Sequence, residues 1–168
     1  MDNNKKWMDF MKSAHALLLN GQTIDHYQSH IQILVEPSFD NSFHLQLELN
    51  EQVVKWHRTT WLRLIDAPKF YDPIKSLNYI GQAVEPTLIY ESGTKEIVCI
   101  SPIFEFIKLI STKPKIEKWG GIMLDGVFYT LKIGVENTQA TFRWHHLPDE
   151  WKDLEKLANM LTELNSRL

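Results

Sequence analysis

A chain of 168 residues, 43% hydrophobic and 23% charged, has the composition of a globular protein, and its length predicts one domain over 1–168 built on one core. Its 18 basic against 21 acidic residues give a net charge of -3, the wrong sign for general attraction to a nucleic-acid backbone. No run approaches the roughly 20 apolar residues of a bilayer-crossing helix, and the lone Cys99 has no internal disulfide partner, so a cytoplasmic setting is expected.

The opening segment MDNNKKWMDFMKSAHALLLN is basic at its start but broken by Asp9, Lys12 and His15, unlike a signal peptide. Trp7, Phe10, Met11, Ala14, Leu17 and Leu18 recur at spacings of three and four, which predicts an amphipathic helix stopped by Gly21. From Tyr27 the period changes to two: Ile31, Ile33 and Val35 alternate with His30, Gln32 and Leu34, predicting a strand that ends near Glu36. SFHLQLELN, residues 42–50, alternates most clearly, with Phe43, Leu45, Leu47 and Leu49 on one side and His44, Gln46 and Glu48 on the other. QVVKWHRTTWLRLI should return antiparallel after a tight turn at Asn50 and Glu51. That turn sets Leu47 against Val54, Leu45 against Trp56, Glu48 against Val53, Gln46 against Lys55 and His44 against His57.

Residues 66–96, interrupted by Pro68, Pro73, Pro86 and Gly93, read as a loop-rich excursion, with strands near 87–91 and 96–100. Ser101 and Pro102 resemble an N-cap and first helical position, opening a helix to about Ser111. GIMLDGVFYTLKIG predicts a hairpin turning at Asp125 and Gly126. QATFRWH should pair next to it, and Pro148, Asp149 and Glu150 open a last helix with a buried stripe at Trp151, Leu154, Leu157, Ala158, Leu161 and Leu164.

RWHHLPDEW, residues 143–151, sets two histidines between two tryptophans. If Trp144 faces inward, His145 and His146 diverge, which suits a strand-to-helix corner better than a metal whose ligands must converge. His26 and His30 have an H-x-x-x-H spacing but lie in strand-like sequence, without the H-E-x-x-H glutamate. Cys99, among Ile97, Val98 and Ile100, reads as a packed side chain. Phosphate loops, dinucleotide fingerprints, nucleophile elbows and paired Cys-x-x-Cys knuckles are all missing from the sequence. No catalytic residue, metal ligand or cofactor is therefore assigned, and an enzyme is the less favoured reading.

Charge patterning is more informative. From Ser13 through Val54 there is no lysine or arginine, but there are Asp25, Glu36, Asp40, Glu48 and Glu51. Strand alternation would gather His30, Gln32, His44, Gln46, Glu48, Lys55, His57 and Thr59 on one outer sheet face. Such a face suits a basic protein partner, so Glu36, Asp40, His44, Gln46, Glu48 and His57 are the expected partner-binding residues.

The C-terminal run LDGVFYTLKI, TFRWHH and LPDEWKDLEKL resembles a pattern found in small bacterial proteins of unknown function, through Leu124, Asp125, Gly126, Tyr129, Leu131, Phe142, Trp144, Trp151 and Leu154. That resemblance covers about residues 121–160 and implies an α+β scaffold, with no catalytic residue carried over. The expected architecture is an antiparallel sheet with N-terminal, middle and C-terminal helices packed on one face. The expected function is a bacterial protein-interaction domain, an immunity protein that occludes a basic toxin. The competing expectations are a metal-dependent enzyme or small-ligand binder using His30, His44 and His57, and a structural oligomer subunit.

Overall fold

The computed structural model describes residues 3–20, 30–49, 53–72, 74, 76, 79, 83–96, 103, 126–135, 138–145 and 152–168. His26, Cys99, His146, Trp151 and, apart from Ile103, the expected helix at 101–111 lie outside the described residues.

In chain order the elements are α1 (Asn3–Asn20), β1 (His30–Pro37), β2 (Ser42–Leu49), β3 (Val53–Trp61), α2 (Arg63–Asp66), α3 (Pro68–Tyr71), β4 (Leu88–Glu96), β5 (Val127–Val135), β6 (Thr138–Trp144) and α4 (Lys152–Arg167). The strands form one six-stranded sheet in the order β4-β3-β2-β1-β5-β6, with every neighbouring pair antiparallel. This is the α+β class expected. β1 joins the two halves, pairing with β2 on one side and β5 on the other.

The helices divide between the two sheet faces instead of sharing one. Ile31, Ile33 and Val35 of β1 pack with Leu45 and Leu47 of β2, Val54 and Trp56 of β3, and Leu154, Leu157, Ala158 and Leu161 of α4. Leu34, which alternation turns the other way, packs with Trp61 and with Trp7, Phe10, Ala14 and Leu18 of α1. The physical reason is that α1 also carries an apolar stripe, and α4 already occupies the face lined by the β2 leucines. Leu34 and Trp61 supply the apolar ground on the opposite face. A second core follows, made of Trp7, Phe10, Trp61 and Phe70 in ring contact.

The β2–β3 pairing also differs from the tight-turn expectation. Leu47 pairs with Trp56, Leu45 with Arg58, Leu49 with Val54, Glu48 with Lys55, Gln46 with His57 and His44 with Thr59. The register is shifted by two residues. A shift of two preserves the side on which every residue lies, so the alternation survives while the partners change. Trp56 explains part of this choice: its indole lies against Gly93 of β4, where a Cβ would meet Nε1 at 2.8 Å. Only a residue without a side chain admits the ring there.

Residues 88–96 form one long edge strand that covers most of the strand expected at 87–91 and continues to Glu96; the rest of the strand expected at 96–100 lies outside the described residues. β5 and β6 form the expected C-terminal pair, but β5 has β1 along its other edge, which leaves no edge for the hairpin partner expected before Asp125 and Gly126; Gly126 itself has a φ of 135°, which favours glycine, and Asp125 lies outside the described residues. No helix among the described residues is long and apolar enough to cross a membrane.

Candidate functional site

The six expected binding residues are distributed along three strands and a turn, and the structure treats them in three different ways. His44 and Gln46 are each only 3% exposed. His44 Nδ1 donates to the Leu18 carbonyl at 2.9 Å, near the end of α1. Burial, the dominant cause, pushes the His44 imidazole down to about 4, against the opposing effect of its bond to Leu18. A carbonyl only accepts, so the neutral ring carries its proton on Nδ1. Gln46 Nε2 lies 3.3 Å from the same nitrogen, and Gln46 Oε1 has no hydrogen-bond partner among the described residues. These two side chains are interior, so they leave the expected docking face. Their burial follows directly from seating α1 on the side of the sheet that was expected to be wet.

Glu48 stands near the end of β2 and His57 at the middle of β3, both half-buried, with Oε1 3.7 Å from Nε2. Glu36 and Asp40 stand at the other end. Glu36 Oε1 is 2.7 Å from His15 Nδ1 of α1, while Asp40 is exposed in the β1–β2 turn and accepts from the Asn41 amide at 2.7 Å. Glu48, opposite His30, is separated from Glu36 by most of a strand, roughly 20 Å at the usual rise per residue. They do not form one contiguous acidic face.

The three histidines of the metal reading are also kept apart by register. His30 lies opposite Glu48, His57 opposite Gln46, and His44 opposite Leu34 and Thr59. His30 is buried with its ring against Gly134, the residue opposite it on β5. Among the described residues no group of three or more histidine, cysteine, aspartate or glutamate side chains is arranged to hold a metal ion.

What the structure assembles instead is an apolar projection at the Glu36–Asp40 end. Phe39 is 78% exposed at the tip of the β1–β2 turn. The turn is clamped from both sides. On one side the Ser38 amide donates to the Gly126 carbonyl at 2.9 Å, Ser38 Oγ donates to the same carbonyl at 2.8 Å, and the Gly126 amide donates back to Ser38 Oγ at 3.1 Å. On the other, Arg63 Nη1 donates to the Pro37 carbonyl at 2.9 Å and the Leu64 amide donates to Asn41 Oδ1 at 3.3 Å. Leu64 and Ile65 of α2, 56% and 55% exposed, continue the apolar surface beside the turn.

Behind Phe39 lies a groove of about 290 Å³ lined by Met11, Glu36, Ser38, Phe39, Ser42, Trp61, Arg63, Phe128 and Arg143. Its floor is a row across the sheet, since Glu36 lies opposite Phe128 and Ser42 opposite Trp61. The Arg63 guanidinium sits 5.9 Å from the ring centres of both Trp7 and Trp61. Burial lowers its proton affinity, offset in part by Glu36 and Tyr71. The sequence did contain one sign of this surface: PSFDN places a phenylalanine inside a proline, serine, aspartate and asparagine turn, where no periodicity directs it to a core.

No protein-family model, curated protein or solved structure matches the chain.

Proposed function

We propose that the protein is a non-enzymatic interaction domain that docks on a partner protein through the Phe39 end of its sheet, acting as a bacterial immunity protein acts on its toxin, by occlusion. The single observation behind this reading is an aromatic ring 78% exposed on a turn held by hydrogen bonds on both flanks. A large apolar side chain displayed on a braced turn loses little further freedom on binding, which is the property of an interface anchor. Leu64 and Ile65 extend the apolar contact, and the exposed Asp40 carboxylate beside it suits a basic side chain on the partner. Glu36 and Glu48 play a lesser part, because each is already shared with a histidine of this chain.

The test is genetic and direct. Each protein encoded next to this one is expressed alone and together with it, and growth is followed. A neighbour that arrests growth, relief of that arrest by this chain, and loss of relief with Phe39→Asp would support the proposal. Absence of relief for every neighbour, or relief that survives Phe39→Asp combined with Asp40→Lys, would remove it.

A further inference from the structure

We infer that the groove behind Phe39 receives a carboxylate side chain from an acidic, partly apolar peptide segment of the partner, gripped by Arg143 and Arg63. The inference rests on the docking reading above and adds the chemistry of the partner segment.

Of the four arginines in the chain, Arg58 pairs with Glu91, Arg63 donates to the Pro37 carbonyl and Arg167 lies near Glu163. Arg143 is exposed and makes no hydrogen bond or ion pair among the described residues. It sits opposite Thr130 on the same side of the sheet as Phe128 and Glu36, so its guanidinium belongs to the groove and not to the α4 core. Arg63 is already oriented by two indoles and one carbonyl, which leaves further N–H groups of its planar fork for an incoming oxygen.

Among the described residues Glu36 is the one carboxylate in the lining, and His15 stands 2.7 Å from it. Two guanidinium groups therefore outweigh a carboxylate that already has a hydrogen-bonded neighbour. Of the remaining described lining, Met11, Trp61, Phe128 and Phe39 are apolar or aromatic, and Ser38 and Ser42 are small and polar. An aspartate or glutamate followed by an aliphatic residue satisfies both parts of this lining, whereas a basic or wholly apolar segment satisfies only one. The full footprint is then reciprocal in charge: Asp40 addresses a basic group of the partner and the groove addresses an acidic one. Opposed charges placed side by side fix register as well as attraction.

The probes are two capped dipeptides, acetyl-Glu-Leu-amide and acetyl-Gln-Leu-amide, titrated into the full chain while the arginine Nε–H signals are followed by NMR. The expected result is saturable movement of the Arg143 and Arg63 signals with the glutamate peptide. Binding should be about ten-fold weaker with the glutamine peptide, and weakened to a similar extent by Arg143→Gln, the usual cost of one lost charge-assisted hydrogen bond. Equal response to both peptides, or an Arg143→Gln protein that binds the glutamate peptide unchanged, would overturn the inference. Because Arg143 is exposed on a strand, Arg143→Gln should keep the fold, and Arg143→Lys, which retains charge but not the fork, should fall between the two. Docking that depends on Phe39 but not on Arg143 would overturn the groove alone and leave the docking surface in place.

Discussion

The His44 imidazole donates from Nδ1 to the Leu18 carbonyl and is almost sealed from water, so it is neutral in the folded protein at pH 7. Its proton affinity in the unfolded chain is ordinary, near 6.5, and in the folded chain about 4. As the pH falls below 6.5 the unfolded chain takes up the proton first, and the folded state loses stability until about pH 4, where both states carry it. The loss due to this residue should be about 3 kcal/mol over that window. Denaturant midpoints measured between pH 7 and pH 4 should show it, and His44→Gln should flatten the slope. A second residue-scale prediction concerns Gly93: alanine there meets the Trp56 ring at 2.8 Å, so Gly93→Ala should cost about 1–3 kcal/mol, read as a lowered unfolding midpoint. The histidines were legible as residues of one strand face. Their burial was not, because alternation tells which side a residue takes and says nothing of whether a helix will cover that side.

Single elements show a similar division. β2 was readable from its own alternation, yet its pairing with β3 was set two residues away from the tight-turn register, where Trp56 meets Gly93. Nothing local in SFHLQLELN contains that distant glycine. The short helices α2 and α3 were likewise hidden in a proline-broken stretch, and what holds them is the fully buried Asp66. Its carboxylate accepts from Trp61 Nε1 at 2.8 Å, Lys69 Nζ at 2.6 Å, the Thr87 amide at 2.8 Å and Thr87 Oγ1 at 2.7 Å. Burial alone would raise its proton affinity, but the bonds to Lys69, Thr87 and Trp61 together outweigh burial and hold it below the ordinary carboxylate range. Its stabilising contribution is thus complete at neutral pH and is lost as acid protonates it. Asp66→Ala should cost about 3 kcal/mol. Hydrogen exchange should show the amides at the start of β4 losing protection before those of β1, since Thr87 leads directly into that strand.

At the scale of the molecule, a sheet covered by α4 on one side and by α1 on the other has two cores where a sheet with one wet face would have one. Leu18→Ala and Leu161→Ala, both at fully buried positions on opposite sides, should each lower stability by about 3 kcal/mol in chemical denaturation. A nearly neutral Leu18→Ala would contradict the two-sided architecture. Burial of the central strands also decides where function can reside. With the middle of β1 and β2 buried, the proposed partner would meet the ends and edges of the sheet, and among the described residues the end carrying Phe39 combines apolar exposure with a braced turn. The decisive measurement is the affinity of the Phe39→Ala protein for a partner whose toxicity this chain relieves, set beside its unfolding midpoint. Kd should rise about thirty-fold or more, as for the loss of an interface anchor, with the midpoint unchanged; an unchanged Kd would contradict docking through Phe39.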